Sequence, residues 1–137
     1  MTLAGARELV SRGHTVTVQA GAGEGVGFAG ATYEAAGVRT EADVAKVWGS
    51  AELILKVKEP QSEEIKRLKG GQTLFTYLLL AAEEALTRGL IESCATCIAY
   101  ETITDRQGGL PLLAPMSTVA GRMAAQLELF TQCMCPS

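Results

Sequence analysis

Leu53-Ile54-Leu55-Lys56-Val57-Lys58-Glu59-Pro60 is an apolar strand running into a charged corner, and Pro60 closes it by removing a backbone donor. A helix over Ser62 to Leu68 follows, with Ser62 as the expected cap, and Gly70-Gly71 ends it. Thr73 to Leu78 is again an apolar strand, Glu83 to Ile91 a helix, and Thr96 to Tyr100 a third strand. Strands that are apolar along most of their length and alternate with helices describe a parallel sheet covered on both faces. The fold class is therefore α/β, a three-layer arrangement of the Rossmann-like or flavodoxin-like kind.

Upstream, Leu3, Ala6, Leu9 and Val10 fall at helical spacing before Gly13, and Thr15 to Gln19 alternates as a strand. The run Gly21-Ala22-Gly23-Glu24-Gly25-Val26-Gly27 invites a dinucleotide-loop reading. It fails the GxGxxG spacing at Val26 and at Phe28, and no good helix follows to aim N–H groups at a pyrophosphate, so it reads as a flexible turn. Tyr33 to Ala36 fits one helical turn, and Glu41 to Trp48 a helix with Val44, Val47 and Trp48 as its apolar stripe. Downstream, Asp105 to Gly109 is turn chemistry and Leu110 to Leu113 a locally pairing segment. A last helix opens near Pro115 or Ser117 and carries Val119, Met123 and Leu127, its Ala-rich face suited to close packing.

The 137 residues are 47% hydrophobic and 20% charged, with a net charge of −3, which suits one compact domain. With 12 Lys and Arg in all, the chain lacks the clustered positive charge that nucleic acid or an anionic membrane surface needs. The longest apolar stretch, Thr73 to Ala82, is about half of the ~20 residues that cross a bilayer. The start Met1-Thr2-Leu3-Ala4-Gly5-Ala6-Arg7 has no basic-then-apolar leader, so a cytoplasmic location with reduced thiols is expected. Cys94 and Cys97 have CxxC spacing, but Cys133 and Cys135 are a poor second pair and His14 is distant; small apolar fillers are the expected role, and no metal site.

Ligands of such sheets gather beyond the carboxyl ends of the strands. Lys58 stands there as a point charge able to hold a carboxylate, or as a solvated lysine paired with Glu59 or Glu52. Glu101 reads as a structural carboxylate bonded to backbone. Tyr77 can lend a hydroxyl to a pocket or sit in the core, and Ser117 can cap the last helix or meet a ligand. No Ser-His-Asp or Cys-His arrangement is present in the sequence.

Three segments, Leu55 to Pro60, Leu74 to Leu78 and Pro111 to Ala125, resemble NAD-dependent alanine dehydrogenase, the substrate-binding N-terminal domain; the proton-translocating transhydrogenase shares the layout and the Gly21 to Gly25 region. The resemblance spans Leu3 to Gln126. It implies a parent reaction in which L-alanine, NAD and water give pyruvate, ammonium and NADH. It implies that Lys58 binds the substrate carboxylate, that Tyr77 walls the pocket, and that Met116 contacts substrate and Ser117 the nicotinamide cofactor.

Three departures bear on activity. The resemblance puts the acid/base histidine of the family where this chain has Leu79, and a leucine cannot carry a proton; losing such a group costs ~10² to 10⁴ in rate. The family also begins with a strand and an arginine not found here, which implies an unpaired edge inside the sheet. Beyond Gln126 the tail, residues 127–137, stops resembling the family and no NAD-binding domain follows. The expectation is a truncated substrate domain over residues 1–126, inactive alone and binding no NAD by itself, with L-alanine or pyruvate as its ligand class. The alternative is a regulatory or split subunit that joins a full-length dehydrogenase or a separate NAD domain.

Overall fold

A computed structural model describes residues 1–134, with side chains through residue 127. The expected strand and helix alternation is present, but the strands form two parallel sheets rather than one. The first pairs β1 (Thr17–Gln19) with β2 (Arg39–Glu41); the second has the order β3-β4-β5, from Leu53–Leu55, Thr73–Thr76 and Thr96–Ala99. Register runs Thr17 against Arg39, Leu53 against Thr73 and Thr73 against Thr96.

Helix α1 (Leu3–Ser11) starts where the Thr2 hydroxyl accepts the Gly5 N–H at 3.2 Å, and stops where Gly13 turns left-handed at φ +87°. With α2 (Gly30–Glu34) it covers one face of the first sheet, in a core of Ala6, Val16, Tyr33, Ala36 and Val38. The Tyr33 hydroxyl is satisfied by the Met1 carbonyl at 2.7 Å. Helix α3 (Val44–Ser50) touches β1 and β2 but sends Trp48 into the second core, with Ile54, Leu68, Leu74, Leu78, Leu86 and Leu90. The short α4 (Ser62–Ile65) and α5 (Glu84–Ser93) complete that layer. Buried Gln72 ties it together: its amide donates to the carbonyls of Trp48 and Ala51, each at 2.7 Å, satisfying the end of α3 that would otherwise be orphaned.

Several expectations are corrected. β2 lies in Arg39-Thr40-Glu41, which has no apolar pattern, and α3 begins at Val44, its Asp43 side chain accepting the Ala45 N–H at 2.9 Å. Ser62 does not cap α4; the Glu64 carboxylate instead accepts the Gln61 N–H at 2.7 Å. Leu110 to Leu113 forms a turn closed by Leu113 N–H on the Leu110 carbonyl, not a pairing strand. The last helix, α6 (Ala114–Met134), opens before Pro115 and packs closely on nothing among the described residues: Met116, Val119 and Met123 are all about half exposed. The second sheet is covered on one face only, so Leu53, Leu55 and Ile98 on the other remain open to solvent. Among the described residues β1 and β3 each pair on one side only.

The glycine run is a wound turn. Ala22 N–H donates to Gln19, Glu24 N–H to Gly21 and Phe28 N–H to Gly23, and Glu24–Val26 is a short 3-10 helix. Cys97 packs against the second core, which burial makes a weaker acid, whereas Cys94 is exposed at the end of α5 rather than filling space. The side chains from residue 128 on, Cys133 and Cys135 among them, lie outside the described residues.

Candidate functional site

The carboxyl ends of β3, β4 and β5 come together at one rim, and each of them contributes a residue singled out above. At the end of β3 the two lysines differ. Lys56 is locked to Glu64, its ammonium 2.6 Å from the carboxylate, and lies 6.0 Å from the Trp48 ring centroid. Lys58 is exposed, and no acidic oxygen of the described residues comes within 4.0 Å of it, so neither Glu52 nor Glu59 takes the pairing role.

The backbone that presents Lys58 is held by Thr76. This fully buried hydroxyl donates at the Lys58 carbonyl, 2.8 Å away, and the Val57 carbonyl, 3.1 Å away, just beyond the last strand pair Leu55 and Phe75, where the Tyr77 N–H also reaches Val57 at 3.3 Å. Thr76 was not among the candidates drawn from the sequence. A threonine near the end of an apolar strand that also begins with Thr73 was the signal, and β-branched residues are common there for reasons of propensity.

Beyond β4 the chain turns sharply. Leu79 has φ +49°, a left-handed conformation that costs a leucine roughly 1–2 kcal/mol, and its side chain is 56% exposed. Glu101, in the 3-10 turn after β5, holds this corner from across the rim. Its Oε1 accepts the N–H of Leu78 at 3.0 Å and of Leu79 at 2.8 Å. Burial pushes the Glu101 carboxyl upward, but the N–H groups of Leu79, Glu101 itself and Leu78 outweigh it, leaving the net below the usual carboxylate value. Glu101 is thus the structural carboxylate expected.

Tyr77 lies between the two. Its ring meets Tyr100 edge-on at 4.9 Å, Tyr100 meets Phe75 at 4.2 Å, and its hydroxyl donates to the Leu112 carbonyl at 2.7 Å. The phenol is therefore spent on fastening the segment that leads into α6, and only the ring is left to form a wall. Met116 sits in the first turn of α6, 49% exposed, and Ser117 follows it. Ser117 does not cap that helix: its N–H donates to Leu113 at 3.1 Å, inside the helical ladder.

Lys58, Tyr77 and Leu79 stand at the rim, and the Tyr77–Leu112 bond ties to it the segment that leads to Met116 and Ser117; two clefts among the described residues are lined by none of these five. The larger, about 560 Å³, runs between α4 and α5 and is bordered by Glu59, Glu83 and Glu92, with Lys66 as its one cation, a poor setting for an anionic ligand. The other, about 470 Å³, lies between α3 and the start of β1 and β2.

Residues 1–120 match the family described as alanine dehydrogenase/PNT, N-terminal domain. The chain belongs to that family. It is 75% identical over 126 residues to the alanine dehydrogenase of Halomonas elongata, covering 92% of this chain and 34% of that protein. It is 54% identical over 130 residues to the alanine dehydrogenase of Mycobacterium tuberculosis, covering 95% of this chain and 35% of that protein. A solved L-alanine dehydrogenase superposes with a TM-score of 0.86 at 42% identity, over 93% of this chain and 35% of that one. The transhydrogenase of Sinorhizobium meliloti gives 0.69 at 28% identity, over 77% and 31%.

The chain thus spans about a third of the length of the alanine dehydrogenases it matches. The resemblance to alanine dehydrogenase first seen in three segments extends over nearly the whole fold, and the similarity to transhydrogenase is the weaker of the two. Among the described residues no helix is long and apolar enough to cross a membrane.

Proposed function

We propose that this alanine dehydrogenase domain holds the carboxylate of a small 2-amino or 2-oxo acid, L-alanine or pyruvate, and does not itself move the proton of the reaction. The observation that carries this reading is the contrast at the end of β3. Lys56 is neutralised by Glu64, while Lys58, two residues on and at the strand's carboxyl end, keeps an ammonium without an acidic partner among the described residues. Such a point charge suits a ligand carboxylate, with the Tyr77 ring and the Met116 thioether as the apolar walls that the family resemblance implies for its methyl group. Ser117, its N–H used within the helix, offers its hydroxyl toward a nicotinamide ring.

NAD supplies hydride transfer in this class of reaction, and the residues present do not fit its pyrophosphate. The glycine run ends in the three-residue turn Glu24–Val26 rather than in a helix, and the Glu24 carboxylate lies against Gly21 where an anion would have to sit. No step is assigned to NAD in this chain. Leu79, at the place a proton carrier would occupy, has no ionisable atom, so the domain acts as the substrate-holding side of a larger cytoplasmic assembly. A non-catalytic subunit working with a full-length dehydrogenase or a separate NAD domain is the second reading, favoured by the half-exposed stripe of Met116, Val119 and Met123 on α6.

Calorimetry of the 137-residue chain with millimolar pyruvate tests the proposal. Saturable binding that is lost in Lys58→Met and retained in Lys56→Met supports it. Absence of heat, or binding equal in both variants, overturns it.

A further inference from the structure

Folding gathers three cations that the sequence keeps apart. Arg39 on β2 and Lys46 on α3 border the cleft of about 470 Å³ between that helix and the first sheet. Lys69, ahead of β4, reaches the same border: a Cβ on Gly49, which also lines the cleft, would lie 3.7 Å from its Nζ. All three cations are exposed. The ion pairs among the described residues occupy Arg12, Lys56, Lys66 and Arg88, so no acidic oxygen there comes within 4.0 Å of Arg39, Lys46 or Lys69.

The neighbouring acids are turned to the backbone instead. Asp43 precedes Lys46 at a spacing that suits an ion pair on a helix, but its carboxylate accepts the Ala45 N–H at 2.9 Å. Glu41, the one acid that lines the cleft, accepts the Asp43 N–H at 2.9 Å. Carbonyls at the end of α3 would repel an anion, and these are covered. That of Lys46 accepts the Ser50 hydroxyl at 2.8 Å, and those of Trp48 and Ala51 accept the Gln72 amide at 2.7 Å each. The Thr17 hydroxyl, on the residue opposite Arg39 in the ladder, has no hydrogen-bond partner among the described residues and is free to donate.

We propose that this cleft binds a small multivalent phosphate, a diphosphate group either free or carried on a nucleotide. Its volume lies within the range of about 300–1,000 Å³ usual for small-molecule sites. The Arg39 fork can grip two oxygens of one phosphate, while Lys46 and Lys69 act as point charges and Thr17 adds a neutral donor. Cations on three separate elements suit two linked tetrahedra, whose oxygens face several directions, better than a carboxylate, whose two lie in one plane. Ser50 stands before β3 and Lys69 before β4, whereas Lys58 leaves β3 at its carboxyl end. An anion held here is therefore at the opposite end of the strands from Lys58, and the inference is independent of the carboxylate reading.

The test is titration of the ¹⁵N-labelled 137-residue chain with inorganic diphosphate in about 150 mM salt, which screens loose surface attraction. Saturable binding is expected, about tenfold or more tighter than for orthophosphate or citrate, with amide shifts centred on Thr17, Arg39, Lys46 and Gly49. Arg39→Gln, Lys46→Gln and Lys69→Gln should each weaken it about fivefold or more, and Lys66→Gln, whose ammonium pairs with Glu63, should leave it unchanged. If one cleft variant fails to fold by circular dichroism, the other two decide. ADP separates the two sources: tighter binding than diphosphate assigns a nucleotide, weaker binding the free anion. Absence of saturation at 10 mM diphosphate, an order of magnitude above ordinary metabolite affinities, overturns the proposal. So does binding unchanged in the cleft variants, an equal loss in Lys66→Gln, or citrate binding as tightly as diphosphate.

Discussion

The Thr76 hydroxyl and the Lys58 carbonyl are 2.8 Å apart, which makes a fully buried side chain of one strand the support for the corner just beyond its neighbour. Thr76→Val keeps the shape and removes the donor, leaving the Lys58 carbonyl short of this partner while the Val57 carbonyl keeps the Tyr77 N–H at 3.3 Å. A loss of about 1–3 kcal/mol in urea unfolding is expected, with weakened pyruvate binding. Thr76→Ser should recover most of the binding. Equal stability of Thr76→Val and the parent would show that the hydroxyl does not support this corner.

Glu101 makes stability depend on pH in a definite direction. Its carboxyl is held below its ordinary value of 4.5 in the folded chain, so its contribution is complete above that value and is lost as pH falls through the lower, folded one. Glu101→Gln should therefore lower the melting temperature at pH 7 and narrow its gap to the parent below pH 4.5. A gap that stays constant from pH 7 to pH 3 would count against the Glu101 bonds to Leu78 and Leu79.

Leu79 is strained and exposed, so its side chain contributes little burial to offset a left-handed backbone. Histidine and asparagine adopt this conformation more readily than leucine. Leu79→His and Leu79→Asn are each expected to raise stability by roughly 0.5–1 kcal/mol, a rise of about 2–4 °C in melting temperature. Alone, Leu79→His should still turn over no L-alanine with NAD, since the glycine run of the described residues does not fit a pyrophosphate; NADH formation by that variant would refute the account of Glu24 and Gly21.

Gly23 is where the glycine run needs its glycine. A Cβ there would lie 2.6 Å from the Phe28 carbonyl oxygen and 2.7 Å from the Tyr33 ring, and the first of these is backbone that cannot swing away. Gly23→Ala should cost about 1–3 kcal/mol, the range for an overpacked core. Gly25, with nothing within 4 Å of its own Cβ position, should accept alanine with little change. Thermal melts of the two variants side by side check the contrast.

What the sequence by itself determined is what depends on neighbours along the chain. Apolar runs between turn residues located β1, β3, β4 and β5, the spacing of Leu3, Ala6, Leu9 and Val10 located α1, and Pro60 with its lysines located the rim. Three segments were specific enough to reveal the alanine dehydrogenase relationship. What only the tertiary structure decided depends on partners far away in sequence. Arg39-Thr40-Glu41 is a strand because β1 supplies a ladder, not because of its own pattern. The backbone of Leu79 is turned by a carboxylate 22 residues on, and the Tyr77 hydroxyl is consumed 35 residues on. The division into two sheets was decided there too, because a ladder requires two edges at bonding distance and no periodicity in a single strand reports whether its second neighbour is there.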